Sequence, residues 1–339
     1  MNNPKPKLPT GFTTRPAKMR DLETVVDMLN RFSKVYLGIT PIEKDEIRNE
    51  WQIPGFELKN DTRVVFTTQG ILAGYVEVWT LSNPPVHPWV WGRTHPDYEG
   101  LGVGTYLISW AEERARQAIK RTPDEARVAY RTGIDTTVEP AKELFKDMDL
   151  KLIRHSFRML IEMDAMPPEP RWAEGIQVRT YNPEEDAEAV YRADVEAFRD
   201  HFGFIEQPFE EDFERFMHHM TQKESYDPSL WFLAMDGDEI AGFCLCHKWA
   251  HEDKETGYVS GLGVRRAWRQ RGIGLALLRH SFREFYQRGK RKVALGVDAE
   301  NLTGALRLYK KAGMHIHRQF DLYEKELRPG VELSVQTLE

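Results

Sequence analysis

Cysteine is nearly missing from this chain, with two in 339 residues, at positions 244 and 246. A disulfide framework is thereby excluded as the source of stability, and a reducing compartment fits. Long apolar runs are missing as well: no stretch approaches the roughly 20 residues that a membrane-spanning helix needs. The opening MNNPKPKLPTG holds no apolar core of a secretory signal. The expectation is a cytoplasmic protein with no membrane partner. Nor is there an excess of positive charge, since 47 Lys and Arg stand against 53 Asp and Glu for a formal net charge of −6. That balance argues against a nucleic-acid binder, whose phosphate partner demands a basic surface. No Gly-Lys-Ser or Gly-Lys-Thr follows a glycine loop, which excludes a P-loop nucleotidase.

What is present is an ordinary soluble composition, 41% hydrophobic and 29% charged, in a chain long enough for two domains with separate cores. The run CLCHKWAH (244–251) gathers Cys244, Cys246, His247 and His251, a donor set that zinc accepts. The one-residue gap, however, places both cysteines on one face of a strand, where small apolar-like side chains pack, so no metal is expected.

The chain says the same thing twice. TTRPAKMRDLETVVDMLN (13–30) parallels QVRTYNPEEDAEAVYRAD (177–194), LAGYVEVW (72–79) parallels IAGFCLCH (240–247), and HPDYEGLGVGTYLISW (95–110) parallels RRAWRQRGIGLALLRH (265–280). VEPAKELFKDMDL (138–150) matches LTGALRLYKKAGM (302–314), and a pair of alternating segments, read as a closing hairpin, follows each. The proline-rich DAMPPEPRWAEG between the copies reads as a linker. The predicted organisation is a first domain over 1–165, a linker over 166–175 and a second domain over 176–339. Each has strands, helices and a mixed sheet, an α/β (α+β mixed-sheet) class and not a doubly wound parallel one.

The glycine turns carry the chemistry. In the second copy GYVSGLGV (257–264) reads as a strand, and Leu275, Leu278, Phe282 and Phe285 recur at helical spacing up to Gly289. Strand, tight turn and helix meet at Arg269, Gln270, Arg271, Gly272, Ile273, Gly274 and Leu275. A helix start presents unpaired amides and about half a positive charge, so an anion is favoured there. A phosphate-bearing ligand is the expectation, with the side chains of Arg265, Arg266, Arg269 and Arg271 as further phosphate contacts.

Arg269, Gly272 and Gly274, followed by Asn301, Ala305, Leu308, Tyr309 and Gly313, make residues 176 to about 327 resemble the GNAT superfamily of acetyl-CoA-dependent N-acetyltransferases. The tandem arrangement resembles the mycothiol synthase type. In the first copy Glu99, Thr137, Phe145 and Asp149 stand where Arg269, Asn301, Tyr309 and Gly313 stand in the second. The resemblance therefore implies an active second domain and a first one that either binds coenzyme A or is structural.

The resemblance also implies residue roles. Turn amides from Arg269 to Leu275 bind the pyrophosphate of acetyl-CoA, and the main chain at Leu262 and Val264 pairs with the pantetheine amides. Asn301 belongs to the same cofactor signature. Tyr309 protonates the departing thiolate. Glu255 and Tyr258, near the entry of the strand before the turn, are the candidates for accepting the amine proton, directly or through water. Asp200, His201 and Phe204 lie where relatives build acceptor pockets. The acceptor is expected to be a small-molecule amine. Two rivals remain at this point. A dinucleotide-dependent oxidoreductase is disfavoured because Leu277 stands where a third glycine is needed. A non-enzymatic acyl-CoA sensor or partner-binding protein would follow if both copies were degenerate.

Overall fold

A computed structural model describes residues 7–39, 42–250, 253–301 and 304–337. Two compact units emerge, neither continuous in sequence: Met1–Arg154 with Phe320–Leu333, and His155–Gln319 with Ser334–Glu339. Residues 163–175, which include the expected linker, hold no helix or strand.

The first unit runs β1 (Phe12–Arg15), α1 (Leu22–Leu37), α2 (Lys44–Trp51), α3 (Leu58–Asp61), β2 (Thr62–Thr67), β3 (Leu72–Trp79), β4 (Trp89–Thr94), α4 (Val103–Arg116), β5 (Val128–Asp135) and α5 (Glu139–Asp147). Its strands lie in the order β1-β2-β3-β4-β5, and β5 pairs antiparallel with Phe320–Arg328 of β12 (His315–Arg328). The second unit holds residues 155–162 of β6 (Lys151–Glu162), then β7 (Ile176–Thr180), α6 (Ala187–Phe198), α7 (Phe209–Thr221), β8 (Tyr226–Asp236), β9 (Glu239–His247), β10 (Thr256–Val264), α8 (Ile273–Gln287), β11 (Lys292–Asp298) and α9 (Ala305–Lys311). Its order is β7-β8-β9-β10-β11-β6. In each unit one strand pair is parallel, β4 with β5 and β10 with β11.

The closing segments differ from the sequence expectation. Each is one long strand and not a hairpin, because neither 151–162 nor 315–328 contains Gly, Pro or Asn to turn the chain. Contiguous domains over 1–165 and 176–339 were expected. Instead β6 pairs with β11 over residues 156–162, and the distal part of β12 pairs with β5. Nothing in the local pattern of a strand names its partner.

The repeat holds at atomic level. Arg15 grips Asp21 through two hydrogen bonds (2.6 and 2.8 Å), and Arg179 grips Asp186 in the same way (2.6 and 2.7 Å). In each unit the arginine of the first strand thus fixes the carboxylate that precedes the first long helix. In the second unit β9 shows why its strands read as continuous apolar runs. Phe243 and Leu245 enter the cluster under α6, while Cys244 and Cys246 enter the cluster under α8. Both faces are covered, so both alternating sets are apolar. The cysteine sulfurs lie 3.6 Å apart and buried. His251 of the zinc reading lies outside the described residues.

His247 ends β9 buried, 3% exposed, with neither ring nitrogen closing a hydrogen bond among the described residues. Burial first, and Lys223 and His219 next, pull its pKa down to about 3. The unfolded chain binds a proton near pH 6.5 and the folded one resists it, so stability is present above 6.5 and drains away as pH falls. A loss of roughly 2–3 kcal/mol between pH 6.5 and 4.5 is expected from this group. Urea melts of wild type and His247→Phe across that range check it. The phenylalanine variant should show the shallower decline, and parallel curves would remove His247 from the account.

Candidate active site

In the second unit the parallel register of β10 with β11 runs from Thr256 opposite Lys292 to Val259 opposite Leu295 and then ends. Past that point β10 pairs only with β9, and β11 only with β6. A β-bulge lies at the fork, where the β9 register jumps from Val259 to Gly261, and the Ser260 hydroxyl donates to Leu245 O at 3.0 Å. The extra residue bends the strand and raises its twist, which opens the pair. It also reverses the faces: Gly263 lies against Phe243 and Ala197 on the α6 side, while Leu262 and Val264 join the cluster under α8. The opened edge of β10 leaves main-chain groups available to an extended ligand.

The turn after β10 has the build that an anion cradle needs. Gln270 (φ +64°) and Gly272 (φ +81°) are both left-handed, and α8 starts at Ile273. Ala276 is the first amide to bond back into the helix, to Gly272 O at 3.1 Å. The amides from Gln270 to Leu275 have no acceptor among the described residues. Successive free N–H groups at a helix start form a concave positive surface. Gly274 serves packing, since a Cβ there would sit 3.1 Å from Leu308, the neighbour of Tyr309. Its absence lets α9 dock on the first turn of α8.

The arginines do something other than expected. Arg266 and Arg269 both bind the carboxylate of Asp200, the latter at 2.7 Å, and Arg269 also donates to Val264 O (3.2 Å) and Ala197 O (3.0 Å). Arg265 pairs with Glu196 at 2.6 Å, and Arg271 donates to Glu174 O at 3.0 Å. Arg266, with Arg269 behind it, holds the Asp200 carboxyl down at about 2 against its burial. These side chains clamp the turn to the end of α6. Asp200 is a partner of the turn and not a free acceptor-pocket group.

Tyr309 is buried on α9, 7% exposed, within electrostatic reach of Cys244 and Tyr258. Burial pushes its phenol far above the ordinary range. Tyr258 lies on β10 beside Gly296 of β11, with the Arg158 guanidinium 4.9 Å from its ring centroid. Glu255 is not brought to this group. It is exposed in the turn before β10, its amide bound to Asp253, four residues and about 13 Å of strand before Val259. Asn301 accepts from the Ala305 amide at 3.2 Å, so its side chain shapes the entry to α9. His201 is half-buried in the loop after α6, with Asp298 of β11 among the charges around it, and the Phe204 carbonyl accepts from the Val335 amide at 3.0 Å. Among the described residues no group of His, Cys, Asp or Glu is arranged to hold a metal ion, and no helix is long and apolar enough to cross a membrane.

A mixed sheet that forks at one parallel pair, with a free-amide turn at the helix beside the fork, occurs in both units. The chain belongs to the acetyltransferase (GNAT) family, whose model matches residues 25–129 and again 187–314. It is an acyltransferase built as a tandem, and acyl-CoA is the cosubstrate of the family. Among its relatives, the mycothiol acetyltransferase of Streptomyces coelicolor is 26% identical over 333 residues, covering 93% of this chain and 98% of that protein. That of Amycolatopsis mediterranei is 26% identical over 289 residues, covering 81% and 87%. A GCN5-related N-acetyltransferase from Sphaerobacter thermophilus superposes with a TM-score of 0.78 at 36% identity, over 96% of this chain and 99% of that one. A tandem GNAT protein from the clavulanic acid biosynthesis pathway shares the fold, with a TM-score of 0.68 at 15% identity over 94% and 100%.

Proposed function

We propose that the protein transfers an acetyl group from acetyl-CoA to a primary amine of a small molecule by direct attack, and that the second unit does the chemistry. The observation that carries this reading is that α9, which bears Tyr309, docks on the helix that starts at the free-amide turn, with Leu308 packed against Gly274. In the first unit the same turn geometry is paired with Phe145, which has no hydroxyl.

In this reading the amides of Gln270 to Leu275 hold the pyrophosphate, and the opened edge at Leu262 and Val264 pairs with the pantetheine arm. The Arg269 side chain acts from behind, keeping the turn in place. Tyr309 donates a hydrogen bond to the sulfur as negative charge develops on it. Because burial makes phenolate formation costly, stabilisation of the thiolate by that bond fits better than complete transfer of the proton. Tyr258 is the better placed of the two candidate bases, acting through water, since Glu255 sits away from the fork. The names of the relatives support a small-molecule acceptor.

Release of free thiol from acetyl-CoA, followed against a panel of small amines, tests the reading with Gly102→Val and Gly272→Val. Most turnover should survive the first substitution and little the second. The reverse order would move the chemistry to the first unit. Coenzyme A binding without thiol release for any amine would favour the sensor reading instead.

A further inference from the structure

The first unit has chemistry of its own. Its parallel strands β4 and β5 pair only at Trp89 and Arg131, and a cavity of about 360 Å³ lies beyond that pair, lined from the Gly100–Gly104 turn to Phe145 and Arg93. The Arg93 guanidinium lies 5.1 Å from the Phe32 ring centroid and 4.8 Å from that of Trp91. One N–H donates to Gly92 O at 2.7 Å, and no other acceptor meets the guanidinium among the described residues. Glu77 and Asp135 act on it only through space. Glu77 is committed elsewhere: it accepts from the Tyr75 hydroxyl and from Trp79 Nε1 (3.0 Å), while Trp51 Nε1 donates to the Tyr75 oxygen at 2.7 Å. A guanidinium with free donors, walled by aromatic rings and facing a cavity, is set up for a carboxylate.

The rest of the cavity selects which carboxylate. Where the second unit has Arg269 and Arg271, the first has Glu99 and Leu101, and Glu143 and Asp147 of α5 join Glu99 in the lining. Glu99 accepts from the Tyr36 hydroxyl through Oε2, and its Oε1 has no partner among the described residues. Three carboxylates work against a polyanion such as a nucleotide phosphate and favour an ammonium group.

We propose that this cavity binds a small zwitterion bearing a carboxylate and an ammonium, an amino-acid-like molecule, with its carboxylate on Arg93 and its ammonium toward Glu99. The site is separate from the acetyl-transfer centre placed in the second unit and does not depend on that placement.

Tryptophan fluorescence of the full chain, with Trp91 beside Arg93, provides the test. The probes are alanine, serine and glutamate, with acetate and ethylamine as the separate halves and coenzyme A as the polyanion. At least one amino acid should saturate in the millimolar range or below, with each half binding at least tenfold more weakly. Arg93→Met should abolish the saturable response and Glu99→Gln should weaken it severalfold, with circular dichroism and Tm reporting the fold. If Arg93→Met does not fold, Arg93→Lys and Glu99→Gln decide, and unchanged affinity in both sinks the idea. So does a lack of saturation by all three amino acids, or a response that Arg93→Met leaves intact. A coenzyme A response that is lost in Gly102→Val and untouched by amino acids would assign the cavity to the nucleotide instead.

Discussion

Tyr309→Phe is expected to bind acetyl-CoA as wild type does and to turn over about a hundred- to a thousandfold more slowly. The substitution removes one oxygen from a side chain whose ring is packed in the cluster under α8, where Phe serves as well. The hydroxyl has no acceptor among the described residues, so little ground-state structure is lost with it. In the proposed reading what disappears is the donor to the sulfur as charge appears on it, an interaction made in the transition state alone, and such a loss falls on kcat and not on KM. Burial keeps the phenol protonated far above neutral pH, so the rate ratio between variant and wild type should stay flat from pH 7 to 10. Steady-state kinetics with an amine found in the panel, with Tm measured beside them, provide the check. A folded variant within about threefold of wild type would give the thiolate to water and return Tyr309 to packing.

The repeat, the mixed sheets and the glycine turns were legible because each rests on local pattern: strand alternation, helical spacing, and glycine where the backbone turns left-handed. Gly289 illustrates the reach of such signals, closing α8 at φ +88° where the spacing of Leu278, Phe282 and Phe285 ends the helix. Strand partnership was not legible. A run such as KLIRHSFRMLIE states that it is a strand and leaves open which edge it joins, so a closing hairpin was expected where β6 instead pairs with β11 and the distal part of β12 with β5.

At the site, sequence pointed to the turn, Tyr309 and Asn301 as candidates, and its local pattern gave no sign that the arginine side chains bond to groups of the fold. Charge beside an anion cradle was read as charge for the anion, although a buried carboxylate elsewhere competes for it. The signal lay in the two copies read together. Where Arg269 meets Asp200, the first copy has Glu99 and Tyr36 in contact. Where Arg265 meets Glu196, it has His95 and Phe32 at the matching positions, so that pair too has changed as a unit. Partners that change together between repeats mark pairs within the fold, whereas ligand-facing charges would change alone. Arg93 shows the converse. It replaces Gly263 of the second copy, with no compensating carboxylate bonded to it, and it faces a cavity.

Gly272→Val is expected to weaken coenzyme A binding by roughly ten- to a hundredfold, and the reason is conformational and not steric. A Cβ built at Gly272 meets nothing within 4 Å, so space is not the obstacle. The residue sits at φ +81°, where a β-branched side chain is strained by about 1–3 kcal/mol. The free protein escapes that strain by letting the turn leave its left-handed form, and the bound form has to restore it before the amides converge on the pyrophosphate. The strain therefore appears in affinity, at about 1.4 kcal/mol for each factor of ten. The same logic orders the substitutions: Asn tolerates left-handed backbone and should lose least, Ala more, and Val most. Gln270, a residue with a side chain at φ +64° in the same turn, shows that such a conformation can be held when its surroundings fix it. Isothermal titration of the three variants with coenzyme A tests the series, with Gly102→Val as the comparison in the first unit. Equal affinity across Asn, Ala and Val would mean that the phosphates do not rest on this turn, and the anion cradle would lose its ligand.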